Sequence, residues 1–157
     1  MWTADINTFN TYNPKKMSDL ILKMSFTINA PKSKVWDALT NPDMIKKYFF
    51  GTEMVTDWRV GSSIYWRGEW EGKKYEDKGH VLEFEKEKML KYNYWSSFST
   101  EKDEPANYSN ITYAVAENDA TTVFSLTQDN FKTKEARDHS EGNWNMIIKT
   151  MKEMLEG

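Results

Sequence analysis

Residues 21–28 read ILKMSFTI and alternate strictly: Leu22, Met24, Phe26 and Ile28 fall on one side, Ile21, Lys23, Ser25 and Thr27 on the other. A period of two is that of a half-buried strand. The pattern stops at Ala30-Pro31, and Val35, Trp36 and Leu39 then mark the apolar face of a short helix. Thr40-Asn41-Pro42-Asp43 supplies a cap, a proline suited to the first helical position and an acid for the first turn. Met44, Ile45, Tyr48 and Phe49 give this second short helix its apolar side. From Gly51 the period of two returns, with strands expected near 52–58, 62–70, 75–85, 88–98, 108–117 and 120–129. The breaks between them are short and rich in Gly, Asn, Asp, Glu and Lys, which makes antiparallel hairpins rather than crossovers. Lys134 to Glu156 carries one long helical period.

That order has an architectural consequence. Seven antiparallel strands with one apolar face must cover it, and the long element available is the final helix. The pattern therefore predicts an α+β domain: a curved seven-stranded antiparallel sheet wrapped around a long C-terminal helix, with two short helices closing one end. Curvature leaves gaps between sheet and helix, and such gaps hold ligands. On the final helix Trp144, Ile147, Ile148, Met151, Met154 and Leu155 share a face, while Met146 is apolar on the wet side. Gly142 lies roughly 160° from Trp144, so it suits a bend or an irregular start better than room for a ligand. Residues 1–17 are polar, with Trp2, Ile6 and Phe9 at helical spacing, and form an N-terminal extension to a domain spanning 18–157. They read equally as a short docked helix or a loose arm.

Length, charge and composition narrow the function. At 157 residues the chain holds one domain with a real core. A formal net charge of -3 is at odds with the basic footprint of a nucleic-acid binder. No apolar run reaches the roughly 18 residues of a membrane helix, and no signal-peptide pattern opens the chain. The absence of cysteine removes disulfides, thiolate nucleophiles and sulfur metal sites, and fits a cytoplasmic location. The aromatic load, 15% of the chain with 7 Trp, 8 Tyr and 8 Phe, exceeds what a small core of aliphatic residues would use. It serves either core packing or the walls of a cavity.

Candidates for those walls follow from strand faces. Ile64 and Trp66 share a side with Gly68 and Trp70, Gly68 leaving space or marking a bulge. Tyr92 and Tyr94 share a side with Leu90, each offering a flat apolar body and a hydroxyl. Phe124, Leu126 and Gln128 share another, which puts a buried amide on an apolar face. Trp36, Tyr48 and Phe49 from the short helices, Tyr113, and Trp144, Ile148 and Met151 from the long one complete the candidate cavity lining. Neither His80 nor His139 stands at catalytic-triad or metal-ligand spacing, and both read as surface or capping residues. Alternation sets His80 with Leu82 and Phe84, opposite Gly79, Val81 and Glu83. No phosphate loop or dinucleotide fingerprint occurs, so neither a metal nor a cofactor is expected.

Several ordered stretches resemble one family: INAPKSKVWDALTNPDMIKKYFFGT, DWRVGSSIYW, the segment from Gly72 to Glu85, LKYNYW and the closing HSEGNW. They are similar to small single-domain relatives of the C-terminal domain of the activator of heat-shock protein 90 ATPase. That group lies within the START-like, helix-grip superfamily often called SRPBCC. The resemblance runs from about Leu20 to Leu155 and leaves residues 1–17 outside. It implies a helix-grip fold with a hydrophobic tunnel between sheet and helix. The function expected first is a domain binding a small apolar or amphipathic molecule. A chaperone-interaction protein is the second reading, and an enzyme of cyclase or hydrolase type the third. Oligomeric state is left open, with Phe98 and Met146 as candidate contacts.

Overall fold

The computed structural model describes residues 20–157. The expected extension 1–17 lies outside them. The elements are β1 (Leu22–Ile28), α1 (Lys32–Thr40), α2 (Pro42–Tyr48), β2 (Glu53–Val55), β3 (Ser63–Trp70), β4 (Lys73–Glu85), β5 (Met89–Tyr94), β6 (Ser109–Asn118), β7 (Thr121–Gln128) and α3 (Lys134–Glu156), with a short 3-10 turn at Pro105–Asn107. The strands form one antiparallel sheet in the order β1-β7-β6-β5-β4-β3-β2. Consecutive strands from β2 to β7 are antiparallel neighbours, through short connections except for the longer β5–β6 link that carries the 3-10 turn. β1 instead pairs with β7, so α1 and α2 carry the chain across the sheet from one edge to the other.

Local chemistry explains the boundaries. Asn41 caps α2 by accepting the Asp43 amide at 3.0 Å, with Pro42 in the first turn. Thr133 caps α3 by accepting the Ala136 amide at 3.0 Å. β2 is shorter than the expected 52–58 because Trp58 takes a left-handed backbone, φ 61°. That turn swings its ring onto Phe84 at 5.8 Å and lets the indole N–H donate to the Thr40 carbonyl at 2.9 Å. Burying a large ring with its polar handle satisfied outweighs continuing an edge strand. β5 likewise ends at Tyr94, with a single bridge from Trp95 to Lys78 beyond it.

β4 corrects the simple alternation. Asp77, Gly79 and Val81 are buried and His80 is exposed, yet Phe84 also faces inward, against Trp36 at 5.6 Å. A bulge between Val81 and Glu83 resets the phase, as one extra residue must. His80 and Phe84 therefore do not share a face. Just before the bulge, the β5 backbone closes on Gly79 so tightly that a side-chain carbon there would overlap the Asn93 carbonyl oxygen. Bulge and glycine together bend the long strand, and with it the sheet.

The core lies between this bent sheet and the helices. Ile28, Val35, Ile64, Leu90, Phe124, Leu126, Ile148 and Met151 are almost wholly buried there. α3 runs unbroken through Gly142, which is exposed and has open space where a side chain would stand. The helix starts eight residues earlier, so Gly142 does not make an irregular start.

Two substitutions should therefore move stability in opposite directions in urea unfolding. Gly79→Ala should lose about 3 kcal/mol, because the backbone of β5 must move. Gly142→Ala should gain up to about 1 kcal/mol from helix propensity alone. A neutral Gly79→Ala would mean the close approach does not hold the bend.

Candidate functional site

Where the sheet bends away from the first half of α3, a cavity of about 570 Å³ opens. Its floor comes from Trp66 on β3, Tyr75 and Asp77 on β4, Tyr92 and Tyr94 on β5, Ile111 on β6 and Gln128 on β7. Ser140, Asn143, Trp144 and Ile147 of α3 form the roof, and Phe49, Phe50 and Thr52, just after α2, close the end. The Trp66 ring sits 5.4 Å from that of Tyr92 and 5.1 Å from that of Tyr94. Trp144 meets Phe49 and Tyr113 edge-on at 6.2 and 6.1 Å. At the mouth stand Phe50, Trp70, Phe98 and Met146, with 44%, 52%, 46% and 51% of their surface exposed. Phe50 has φ 55° and is followed by Gly51 at φ 73°. This left-handed pair, costly for a phenylalanine, turns the Phe50 ring onto Trp70 at 5.7 Å.

Polar groups in this apolar shell hydrogen-bond in local sets. Asp77 is buried and receives the Tyr94 hydroxyl at 2.6 Å, the Ser97 amide at 2.8 Å and the Ser97 hydroxyl at 3.0 Å. The hydroxyls of Tyr92 and Tyr113 share a bond of 2.7 Å, and those of Thr52 and Tyr75 one of 2.6 Å. Gly68 makes the second pair possible: Tyr75 lies across it, where a side-chain carbon would come within 2.5 Å of the phenol oxygen. The space left by Gly68 is thus filled by the protein itself. The Gln128 carbonyl oxygen accepts the Trp144 indole N–H at 2.8 Å and the Ser140 hydroxyl at 3.0 Å.

Electrostatics follow from burial. Desolvation pushes the phenols of Tyr48, Tyr92, Tyr94 and Tyr113 well above the ordinary tyrosine range. For Tyr94 the neighbouring Asp77 carboxylate adds to the effect. These groups remain neutral hydrogen-bonding phenols at any physiological pH. His139 stands exposed on the cavity rim and His80 on the outer face. Among the described residues no cluster of three or more His, Asp or Glu could hold a metal ion. Nor is any helix long and apolar enough to cross a membrane.

Of the residues singled out as candidate lining, Phe49, Trp66, Tyr92, Tyr94, Gln128 and Trp144 stand on the cavity wall. Trp36, Tyr48, Ile64, Tyr113, Phe124, Leu126, Ile148 and Met151 are packed in the core, where the sheet closes on the helices. Tyr48 there donates to the Ala38 carbonyl at 2.7 Å. Asp77, Tyr75 and Ser140 escaped the sequence reading, although each carried a signal. Tyr75 and Asp77 are in phase with Gly79, and Ser140 is one helical turn before Trp144.

Comparison with known proteins agrees with this architecture. The family model described as Activator of Hsp90 ATPase homolog 1-like protein matches residues 29–156. The solution structure of ChR145 from Cytophaga hutchinsonii is 44% identical, with TM-score 0.77, over 87% of this chain and 94% of that one. Protein MLL2253 from Mesorhizobium loti shares the fold at 20% identity and TM-score 0.72, over 86% of this chain and 96% of that one. CalU16 from Micromonospora echinospora shares it at 18% identity and TM-score 0.70, over 87% of this chain and 74% of that one. No curated protein matches the chain.

The buried phenols dictate an alkaline limit to stability. Their native-state pKa values are raised above the ordinary 10.0, so the unfolded chain releases protons first as pH rises. The phenols' contribution to stability should be constant below about pH 10 and turn unfavourable above it. Tyrosinate absorbance should lag behind that of the denatured chain, then rise abruptly with unfolding. A titration superimposing on that of the denatured chain while circular dichroism stays native would contradict the burial.

Proposed function

This chain belongs to the Activator of Hsp90 ATPase homolog 1-like protein family, and from that premise we propose that it is a binding module whose sheet and long helix hold a small, largely apolar molecule. The observation that carries the reading is the cavity: about 570 Å³, walled by Trp66, Tyr92, Tyr94, Phe49 and Trp144. Its size falls within the range of roughly 300–1,000 Å³ that small-molecule sites occupy, and its mix of many apolar walls with few polar groups is theirs as well. The one carboxylate among the polar groups, Asp77, already accepts three hydrogen bonds. The site therefore favours shape and aromatic contact over charge.

Binding would bury the ligand against Trp66 and Trp144, so it should quench or shift tryptophan emission. Gently purified protein, measured by native mass spectrometry, should carry a small organic molecule or take up apolar fluorophores saturably. Asn143→Trp, which adds bulk at the roof, should weaken uptake by about tenfold, roughly 1.4 kcal/mol, with the fold intact by circular dichroism. Absence of any bound molecule together with unsaturable dye uptake would sink the reading. Stimulation of a heat-shock protein 90 ATPase by the ligand-free chain would favour the chaperone role that the family description carries. Conversion of the bound molecule into a product would favour the cyclase or hydrolase role.

A further inference from the structure

The buried carboxamide of Gln128 has a fixed orientation, and only half of it is used. Gln128 is 7% exposed and ends β7 on the face it shares with Phe124 and Leu126. Its oxygen is held by the Trp144 indole at 2.8 Å and the Ser140 hydroxyl at 3.0 Å. An indole N–H can only donate, so the amide oxygen must face α3, and its two lone pairs are taken. The amide nitrogen is left with two N–H donors, and no hydrogen bond to it is formed among the described residues. Buried donors without acceptors are rare in folded proteins, and Gln128 lines the cavity.

A phenol pair adjoins the same row. Across the sheet Gln128 is paired with Ile111, and Ile111 with Tyr92. Tyr92 and Tyr113 have two hydroxyl protons and share one hydrogen bond, so one proton is unused. The row thus runs from the amide donor of Gln128 through the apolar Ile111 to the phenol of Tyr92, all three on the cavity wall. The lining contains no lysine or arginine, and its carboxylate, Asp77, is already saturated by Tyr94 and Ser97. Inside the rim, where the exposed His139 stands, no basic side chain is present to balance an anionic ligand.

Resting on the binding reading above, we propose that the Gln128 carboxamide nitrogen donates to an uncharged oxygen acceptor, of ketone, quinone or lactone type, on a flat polycyclic ligand. Trp144 and Ser140 act as positioning residues: by holding the amide oxygen they aim the nitrogen into the cavity.

The test uses a shape-matched pair of probes, fluorenone and fluorene, with fluorene carboxylate as the charged arm. The full chain should bind fluorenone about tenfold more tightly than fluorene once their aqueous solubilities are divided out. The Gln128 side-chain amide resonances should move with fluorenone and stay in place with fluorene. Gln128→Leu should erase the preference. Because that variant also strips Trp144 of its acceptor, the resonance measurement on the unaltered chain decides the case if the variant does not fold. Equal affinities with unmoved amide resonances would overturn the role of Gln128 and leave the binding reading standing. Tightest binding of the carboxylate would overturn the neutral-acceptor assignment. Failure of all three probes to bind would overturn both proposals together.

Discussion

The close approach of the β5 backbone to Gly79 is the constraint on which the rest of the molecule depends. β4 is the longest strand, with thirteen residues, and it has neighbours on both sides. Any side chain at position 79 would collide with the Asn93 carbonyl, and the bulge after Val81 shifts the strand's phase two residues later. The sheet can then bend without losing its pairing. One side of the bend closes on α1, α2 and the end of α3, where Val35, Ile148 and Met151 are almost wholly buried. The other side stands off the start of α3, and that separation is the cavity.

A sheet that stands away from its helix needs ties, since each unfilled space loses packing contacts. Hydrogen bonds between the layers supply them at both ends of α3. Near its start, Trp144 and Ser140 both bond the Gln128 oxygen. At its end the Glu156 carboxylate accepts the Asn29 amide at 2.7 Å. Thr122, fully buried on β7, holds the exit of β1 by donating to the Ala30 carbonyl at 2.8 Å. The same ties that stop the helix from collapsing onto the sheet thus fix which polar atoms look into the space.

Much of this was legible in the residue pattern, for a physical reason. β1, β7 and α3 have one buried face and one wet face, so their periods of 2 and 3.6 residues are written directly in the side chains. Asn41-Pro42-Asp43 announces a helix start by the bond it makes. What the pattern withheld is whatever depends on partners distant in the chain. The phase of β4 beyond Val81 turns on a bulge set by pairing with β5. The early end of β2 turns on a site for Trp58 built by Thr40 and Phe84. The cavity lining was harder still. Alternation says that Phe124 and Trp66 both face inward, yet only the bend decides that Phe124 meets the core and Trp66 meets open space.

The mouth shows how the fold uses local strain. Phe50 adopts a backbone conformation that glycine takes freely and a bulky residue takes at a cost. The gain is positional: its ring reaches Trp70, and with Phe98 and Met146 it makes an apolar rim continuous with the walls inside. Isolated exposed apolar residues are ordinary on protein surfaces, whereas a contiguous set around an opening marks a place where something binds. On the proposed reading, an entering apolar molecule would start to shed water at this rim, before reaching Trp66 and Trp144. The strain at Phe50 and the bend at Gly79 therefore serve one arrangement: an aromatic path from solvent to a cavity in which Asp77 and the Gln128 oxygen are held in direction by their hydrogen bonds.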